Sequence, residues 1–231
     1  MAAVNLLAIE TSTEACSAAV HADGRVFARA ELAPQRHAEL ILPMCEAVLA
    51  EAGLSLRDLD GLAFGRGPGA FTGVRIATGV IQGIALGTGL KVAAVSSLAA
   101  LAQGIVRTRK AGHVLAGIDA RMGEIYVAAY AAEQGMATAA SAEQLGRAAD
   151  VVLPQDGRWS GAGTAFAAYE ETLRERLGDC LAAIHPEACP LAEDVAALAV
   201  GMFERGEAVE AELALPVYLR DRVVDAVAMR P

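Results

Sequence analysis

The stretch IETSTEACSAAV, Ile9 to Val20, and the later stretch IDARMGEIYVAAY, Ile118 to Tyr130, share one pattern. Each has an apolar lead-in, an acid (Glu10, Asp119), a polar turn and a second apolar run, which reads as two strands joined by a turn. After the first pair, Asp23-Gly24 is a two-residue hairpin signal. Arg25 to Leu32 then alternates apolar Val26, Ala28 and Ala30 with polar neighbours, so a third antiparallel strand follows. The chain thus opens on a β-meander and begins another near its midpoint. Meanders followed by alternating helices and strands predict mixed sheets covered by helices, in two lobes.

Outward from the first meander, Leu40, Ile41, Met44, Cys45, Val48 and Leu49 recur at helical spacing after Pro34, with Pro43 inside and Gly53 as the stop. Ser55 and Asp58 form a capping pattern ahead of a buried strand, Gly61 to Phe64. A glycine-rich loop, Gly65 to Gly69, leads into a helix from Thr72 to about Gly87. A strand around Lys91 to Ser97 and a helix from Leu98 to Val106 complete this half. In the second half, Ser141 to Ala149, Ala165 to Leu177 and Ala192 to Glu204 read as helices. Trp159 to Gly163 reads as a strand end and turn, and Leu215 to Arg220 as strand-like or extended.

Composition bounds the function. The 231 residues carry 28 acids against 19 bases, a net charge of −9, which excludes a simple basic nucleic-acid binder. Charged residues at 20% argue against disorder, and aromatics at only 4% of an alanine-rich chain point to small side chains and close packing. Cys16, Cys45, Cys180 and Cys189 show no CxxC spacing, so reduced thiols are expected. The N-terminus lacks a basic leader followed by an unbroken apolar run, so no secretory signal is expected. Ile76 to Val106 has Lys91 as its single charge, yet the lysine splits it into pieces shorter than the ~20 apolar residues a membrane span needs.

Three features could carry chemistry. The segment Gly67-Pro68-Gly69-Ala70-Phe71-Thr72-Gly73 sits between a strand and a helix, where backbone amides could hold an anion and Thr72 could instead cap the helix. It satisfies neither the Walker A nor the GxGxxG pattern, and a tight structural loop fits it equally well. Glu10, Thr11, Ser12 and Thr13 could approach a phosphate, or Glu10 could be a hydrogen-bonded acid at a strand end. His21, His37, His113 and His185 form no metal-binding spacing, and His37 reads as a surface or capping residue. No serine elbow or cysteine nucleophile context is present. The helix glycines Gly79, Gly83 and Gly87 fall at i, i+4 and i+8 on one face, although each lowers helix propensity by about 1 kcal/mol. Their alignment implies that another helix packs very close, either within the chain or from a partner.

LLAIETSTEACSAAV, RHAELILP, DLDGLAFGRGPGAFTGVRIATGVIQGIALG, VAAVSSLAAL and LPVYLRD together resemble the TsaB (formerly YeaZ) family, bacterial proteins needed to form threonylcarbamoyladenosine on tRNA. The likeness runs from Leu6 to about Ala102, resumes at the second meander and returns at Leu215 to Asp221. Ala70 stands where the family usually has serine. The resemblance implies an α/β, actin-like (ASKHA, ribonuclease H-like) fold with two duplicated lobes of mixed sheet flanked by helices. The lobes would be 1–106, joined by part of 190–231, and 107–189.

The resemblance also implies kinship to the catalytic paralogue TsaD, whose metal ligands fall in the segment corresponding to Val95 to Leu101. Ser97 and Leu101 stand where those ligands would be; serine is a poor ligand and leucine cannot be one. The function implied by the resemblance is that of a cytoplasmic, non-catalytic scaffold or activator of threonylcarbamoyl transfer to tRNA, with no metal, no cofactor of its own, and room for a nucleotide at the partner interface. Its implied partners are TsaD and TsaE, with tRNA reached indirectly through the complex, no membrane, and a homodimer when isolated. The implied interface is a helical bundle involving His37, Leu40, Ile41, Met44, Val48, Arg75, Ile76, Gly79, Gly83 and Gly87. Glu10, Thr11, Ser12, Gly67, Gly69, Thr72 and Gly73 are the nucleotide- or anion-proximal candidates. An active kinase or ATPase of the same fold is the alternative, and a metallopeptidase the remotest.

Overall fold

A computed structural model describes residues 4–154 and 157–220. The first half contains β1 (Leu6–Glu10), β2 (Ala15–Ala22), β3 (Arg25–Leu32), α1 (His37–Ala52), β4 (Gly61–Gly65), α2 (Phe71–Thr88), β5 (Val92–Val95) and α3 (Ser97–Arg109). The second contains β6 (His113–Arg121), β7 (Glu124–Glu133), β8 (Met136–Ala139), β9 (Gln144–Gly146), β10 (Trp159–Ala162), α4 (Thr164–Ala168), α5 (Glu170–Leu177), β11 (Leu181–His185) and α6 (Ala192–Glu204).

The strands form two sheets, ordered β3-β2-β1-β4-β5 and β8-β7-β6-β10-β11. In each, an antiparallel meander is extended by two parallel strands, with β4 beside β1 and β10 beside β6. The same topology twice over is the duplication that the two similar stretches predicted, and the two lobes have the actin-like arrangement.

Alternation along β1 explains its place at the centre. Leu7 and Ile9 face a core with Ile41, Val48, Phe64 and Ile81, under α1 and α2. Leu6 and Ala8 face the opposite way, into a core with Val195, Ala196 and Ala199 of α6. A strand covered on both faces has no polar side to show, so LLAIE is buried throughout. The second sheet repeats the scheme: Val114, Ala116 and Ile118 pack under Leu98, Leu101 and Ile105 of α3, while Leu115 joins Trp159, Phe166 and Leu173 on the other face.

Two sequence expectations change, and a third resolves to one of its two alternatives. Ser141 to Ala149, expected as a helix, forms the short strand β9 pairing with β7 and then a 3-10 turn at Ala148–Asp150. Cross-strand hydrogen bonds to β7 outweigh the helix propensity of the alanines here, which Gly146 already weakens. The single helix expected over Ala165 to Leu177 breaks at Tyr169, whose φ of −133° is not helical and whose ring packs on the second-sheet core. Leu215 to Arg220 is extended but joins no sheet; the Val217 amide donates to Arg66 O at 2.9 Å. Asp221, the last residue of the tail motif, lies outside the described residues. The capping box at Ser55 and Asp58 and the Asp23-Gly24 hairpin form as expected, the latter with φ of +50° and +72°.

Where α3 meets α6, the Arg107 guanidinium reaches Asp194 at 2.9 and 3.2 Å and Glu193 at 2.5 Å. Asp194 is fully buried, and burial pushes its carboxyl above the usual value against the pull of Arg107. Arg107→Ala leaves that acid unpaired. A fully enclosed pair broken this way costs about 3–5 kcal/mol; water reaches the Arg107 side chain, so we expect about 2–3 kcal/mol, read as a lower urea midpoint with an unchanged slope. Asp194→Asn, which removes the buried charge, should cost less.

Candidate functional site

The turn after β1 is locked from three sides. The Ser12 amide donates to Glu10 Oε1 at 2.6 Å and the Ser97 hydroxyl, at the start of α3, donates to Glu10 Oε2 at 2.8 Å. Gly65 lies against the same carboxylate, where an added Cβ would stand 1.8 Å from Glu10 Oε2. The Thr11 hydroxyl donates to Gly73 O at 2.7 Å, and the Ala70 amide donates to Ser12 O at 2.7 Å. A Cβ at Gly73 would lie 2.0 Å from Thr11 O, and one at Gly69 2.4 Å from Ser12 O.

These distances explain the glycines of the loop. They let its backbone reach the hairpin, which is the structural reading of the segment. Glu10, Thr11, Gly67 and Gly73 are therefore interior, leaving Ser12 and Gly69 at the edge of an open cleft and Thr72 exposed. Thr72 does not cap α2; Ala70 occupies the N-cap position and no side chain bonds there. Of the two readings of Glu10, the structure takes the hydrogen-bonded acid.

The cleft, about 600 Å³, lies where the turns of the two meanders meet. Ser12, Thr13 and Glu14 with Gly69, Ala70, Phe71 and Arg75 form one wall. Ile118 to Met122, Tyr126 and Thr164 form the other, and Tyr218 and Arg220 of the tail close one side. Tyr218, Arg121 and Arg220 were not singled out from sequence. The repeat of the meander marks the second turn as the counterpart of the first, which is the signal that could have found Arg121.

The second candidate surface is the exposed side of α2. Gly79, Gly83 and Gly87 are exposed, and a Cβ added to any of them meets no atom within 4 Å. No part of the described chain covers them, which removes the internal-core reading of the glycine face. Leu86, one turn along, is 66% exposed. Ile76, Leu40 and Met44 are half-buried between α1 and α2, and Arg75 is exposed. Ile41 and Val48, by contrast, are fully buried in the chain's own core and present nothing to a partner. His37 is buried at the start of α1, correcting its reading as a surface or capping residue; Arg36 holds the N-cap position. Periodicity marks an apolar stripe without telling its sheet-facing half from its outer edge.

The positions that the resemblance aligned with metal ligands are otherwise engaged. The Ser97 hydroxyl bonds Glu10, and Leu101 is packed in the core under α3. Burial pushes the Cys16 thiol up to about 11 and Cys45 to about 12, so neither is a thiolate near neutral pH.

Burial also raises the Glu10 carboxyl above its ordinary 4.5, with the Ser12 amide and Ser97 hydroxyl pulling the other way. The folded chain therefore holds this proton more tightly than the unfolded one. Its contribution to stability is present below the unfolded value and lost as pH rises through the raised folded value. Glu10→Gln should flatten that fall, seen as a smaller loss of stability in urea melts taken as pH rises from 4.5.

A family model for TsaD, tRNA N6-adenosine threonylcarbamoyltransferase, matches residues 29–226. The tRNA threonylcarbamoyladenosine biosynthesis protein TsaB of Escherichia coli is 42% identical over 229 residues, covering 95% of this chain and 96% of that protein. The Haemophilus influenzae TsaB is 50% identical over 123 residues, 53% of this chain and 52% of that protein. A solved structure of YeaZ from Pseudomonas aeruginosa, 47% identical, superposes with a TM-score of 0.88 over 94% of this chain and all of that one.

Proposed function

The chain belongs to the TsaB (YeaZ) family, and from that premise we propose that it serves tRNA threonylcarbamoyladenosine synthesis as a non-catalytic scaffold or activator, heterodimerising with TsaD and recruiting TsaE. The observation that carries this reading is the uncovered glycine face of α2. Three glycines in an exposed helix face each cost about 1 kcal/mol relative to alanine, with no contact among the described residues to explain them. A partner helix that approaches the α2 backbone closely supplies the reason. Leu86, Ile76, Leu40 and Met44 border the face with apolar surface, and two helices from each protein would complete a bundle.

The same face would mediate self-association of the isolated chain, since an uncovered apolar surface seeks a match. Transfer chemistry then belongs to TsaD. In this chain the buried acid is tied to structural hydrogen bonds and the two buried thiols stay protonated, so neither offers a reactive group. With a net charge of −9, contact with tRNA is assigned mainly to the partner, and this chain brings no cofactor of its own, though a nucleotide at the partner interface is compatible with the reading. Among the described residues no helix is long and apolar enough to cross a membrane.

Two substitutions separate interface from fold. Gly83→Ala and Gly83→Leu both enter open space, so each should keep or raise the stability of the isolated chain by up to about 1 kcal/mol. Affinity for TsaD, measured by calorimetry, should fall modestly for alanine and at least tenfold for leucine. Reconstituted threonylcarbamoyl transfer with TsaD and TsaE should fall in parallel, and the chain alone should show none. Wild-type affinity in Gly83→Leu would remove α2 from the interface.

A further inference from the structure

We propose that the open edge of β3 pairs antiparallel with the β3 of a second copy of this chain, centred on Ala28, so that two five-stranded sheets become one. This face is separate from α2, and the inference stands whether or not α2 meets a partner.

β3 is the one long free sheet edge among the described residues. β8, β9 and β11, on the rims of the second sheet, have four, three and five residues. β5 has four, and Val209 bridges to it from outside the sheet. β3 has eight, with no proline, glycine or register shift to blunt it.

Hairpin geometry fixes what that edge offers. The Asp23-Gly24 loop has two residues, so its flanks, Ala22 and Arg25, exchange hydrogen bonds, and every second pair along the ladder does the same. The Ala33 amide, donating to Glu14 O at 3.0 Å, continues that odd-numbered series. The N–H and C=O groups of Val26, Ala28, Ala30 and Leu32 therefore point away from β2, with no strand beyond them among the described residues. Their side chains share the face turned away from α1, where Val26 and Leu32 are 44% and 73% exposed and both alanines are exposed as well.

A strand that pairs with itself must match those groups, so even-numbered residues meet even-numbered ones. Charge then separates the long registers. Centring the pair on Arg29 sets Arg29 against Arg29, and centring it on Phe27 sets Arg25 against Arg29. Centring it on Ala28 sets Arg25 against Glu31 and Phe27 against Arg29, each twice by the two-fold symmetry, with alanine meeting alanine at the axis. On the other face Val26 then packs beside Ala30.

The side chains are ready for this register. Arg25 has no carboxylate within ion-pair distance among the described residues, and its guanidinium lies 4.9 Å from the Phe27 ring centroid. Arg29 is held by Glu51 of α1, and Glu31 by Arg36 at 3.2 Å. A carboxylate can accept from a second guanidinium, so Glu31 can keep Arg36 and still receive the second copy's Arg25.

Sedimentation velocity on the full chain tests the pairing, in the Gly83→Leu background so that α2 does not contribute. At low salt that chain should associate reversibly as its concentration rises toward about 1 mM, and less so at high salt. Arg25→Glu, which sets acid against Glu31, and Glu31→Arg, which sets base against Arg25, should each weaken association at least tenfold. Arg25→Lys, which keeps the charge, should associate as the background does. An equimolar mixture of the Arg25→Glu and Glu31→Arg chains should recover the association to within about threefold, because each copy offers the charge that the other lost; mixing would not cure a structural defect. A Gly83→Leu chain that stays monomeric throughout overturns the proposal, as does association unmoved by Arg25→Glu or a mixture no better than its parts. If Glu31→Arg does not fold, Arg25→Glu against Arg25→Lys decides.

Discussion

One buried carboxylate joins three pieces of the first lobe. Glu10 ends the central strand, accepts from the Ser12 amide of its own turn and the Ser97 hydroxyl that begins α3, and lies against Gly65 at the end of β4. An acid so enclosed is tolerable only where hydrogen bonds replace its water. The cost of its burial therefore fixes the turn, the loop and the start of α3 together. That constraint sets one wall of the cleft and, through the Thr11 and Ala70 hydrogen bonds, the starting point of α2.

Glycine is used in two opposite ways. At Gly65, Gly69 and Gly73 the missing Cβ is space already filled by Glu10, Ser12 and Thr11. At Gly79, Gly83 and Gly87 the space is empty. The first set belongs to the fold; the second is bare among the described residues and is the face proposed above for a partner. A family of biosynthetic proteins with a catalytic paralogue fits a chain whose interior acid serves architecture and whose helix surface is left open.

Much of this was legible in the residues. The repeated apolar–acid–turn–apolar pattern at Ile9 and Ile118 carried the duplication, because a centrally placed strand must be apolar on both faces and its meander must turn after a fixed length. Helices α1, α2 and α6 followed from their period. The errors lie where local propensity is thin. Ser141 to Ala149 has Gly146 within its alanines, and the unfilled edge of β7 made Gln144–Gly146 a strand. Tyr169 broke a helix because its ring belonged in the core.

The sequence by itself determined the two-lobed topology, the family and the alignment of three glycines on one helical face, since these depend on periodicity and local conformational cost. Only the tertiary structure decided which side of each stripe is inside. Ile41 and Val48 turned inward while Gly79, Gly83 and Gly87 stayed bare, and the two sets of glycines separated into filled and empty positions. It also brought Arg75, Arg121 and Tyr218 around one cleft from segments far apart in the chain. Proximity between distant segments arises from how sheets and helices stack, and no local pattern encodes it.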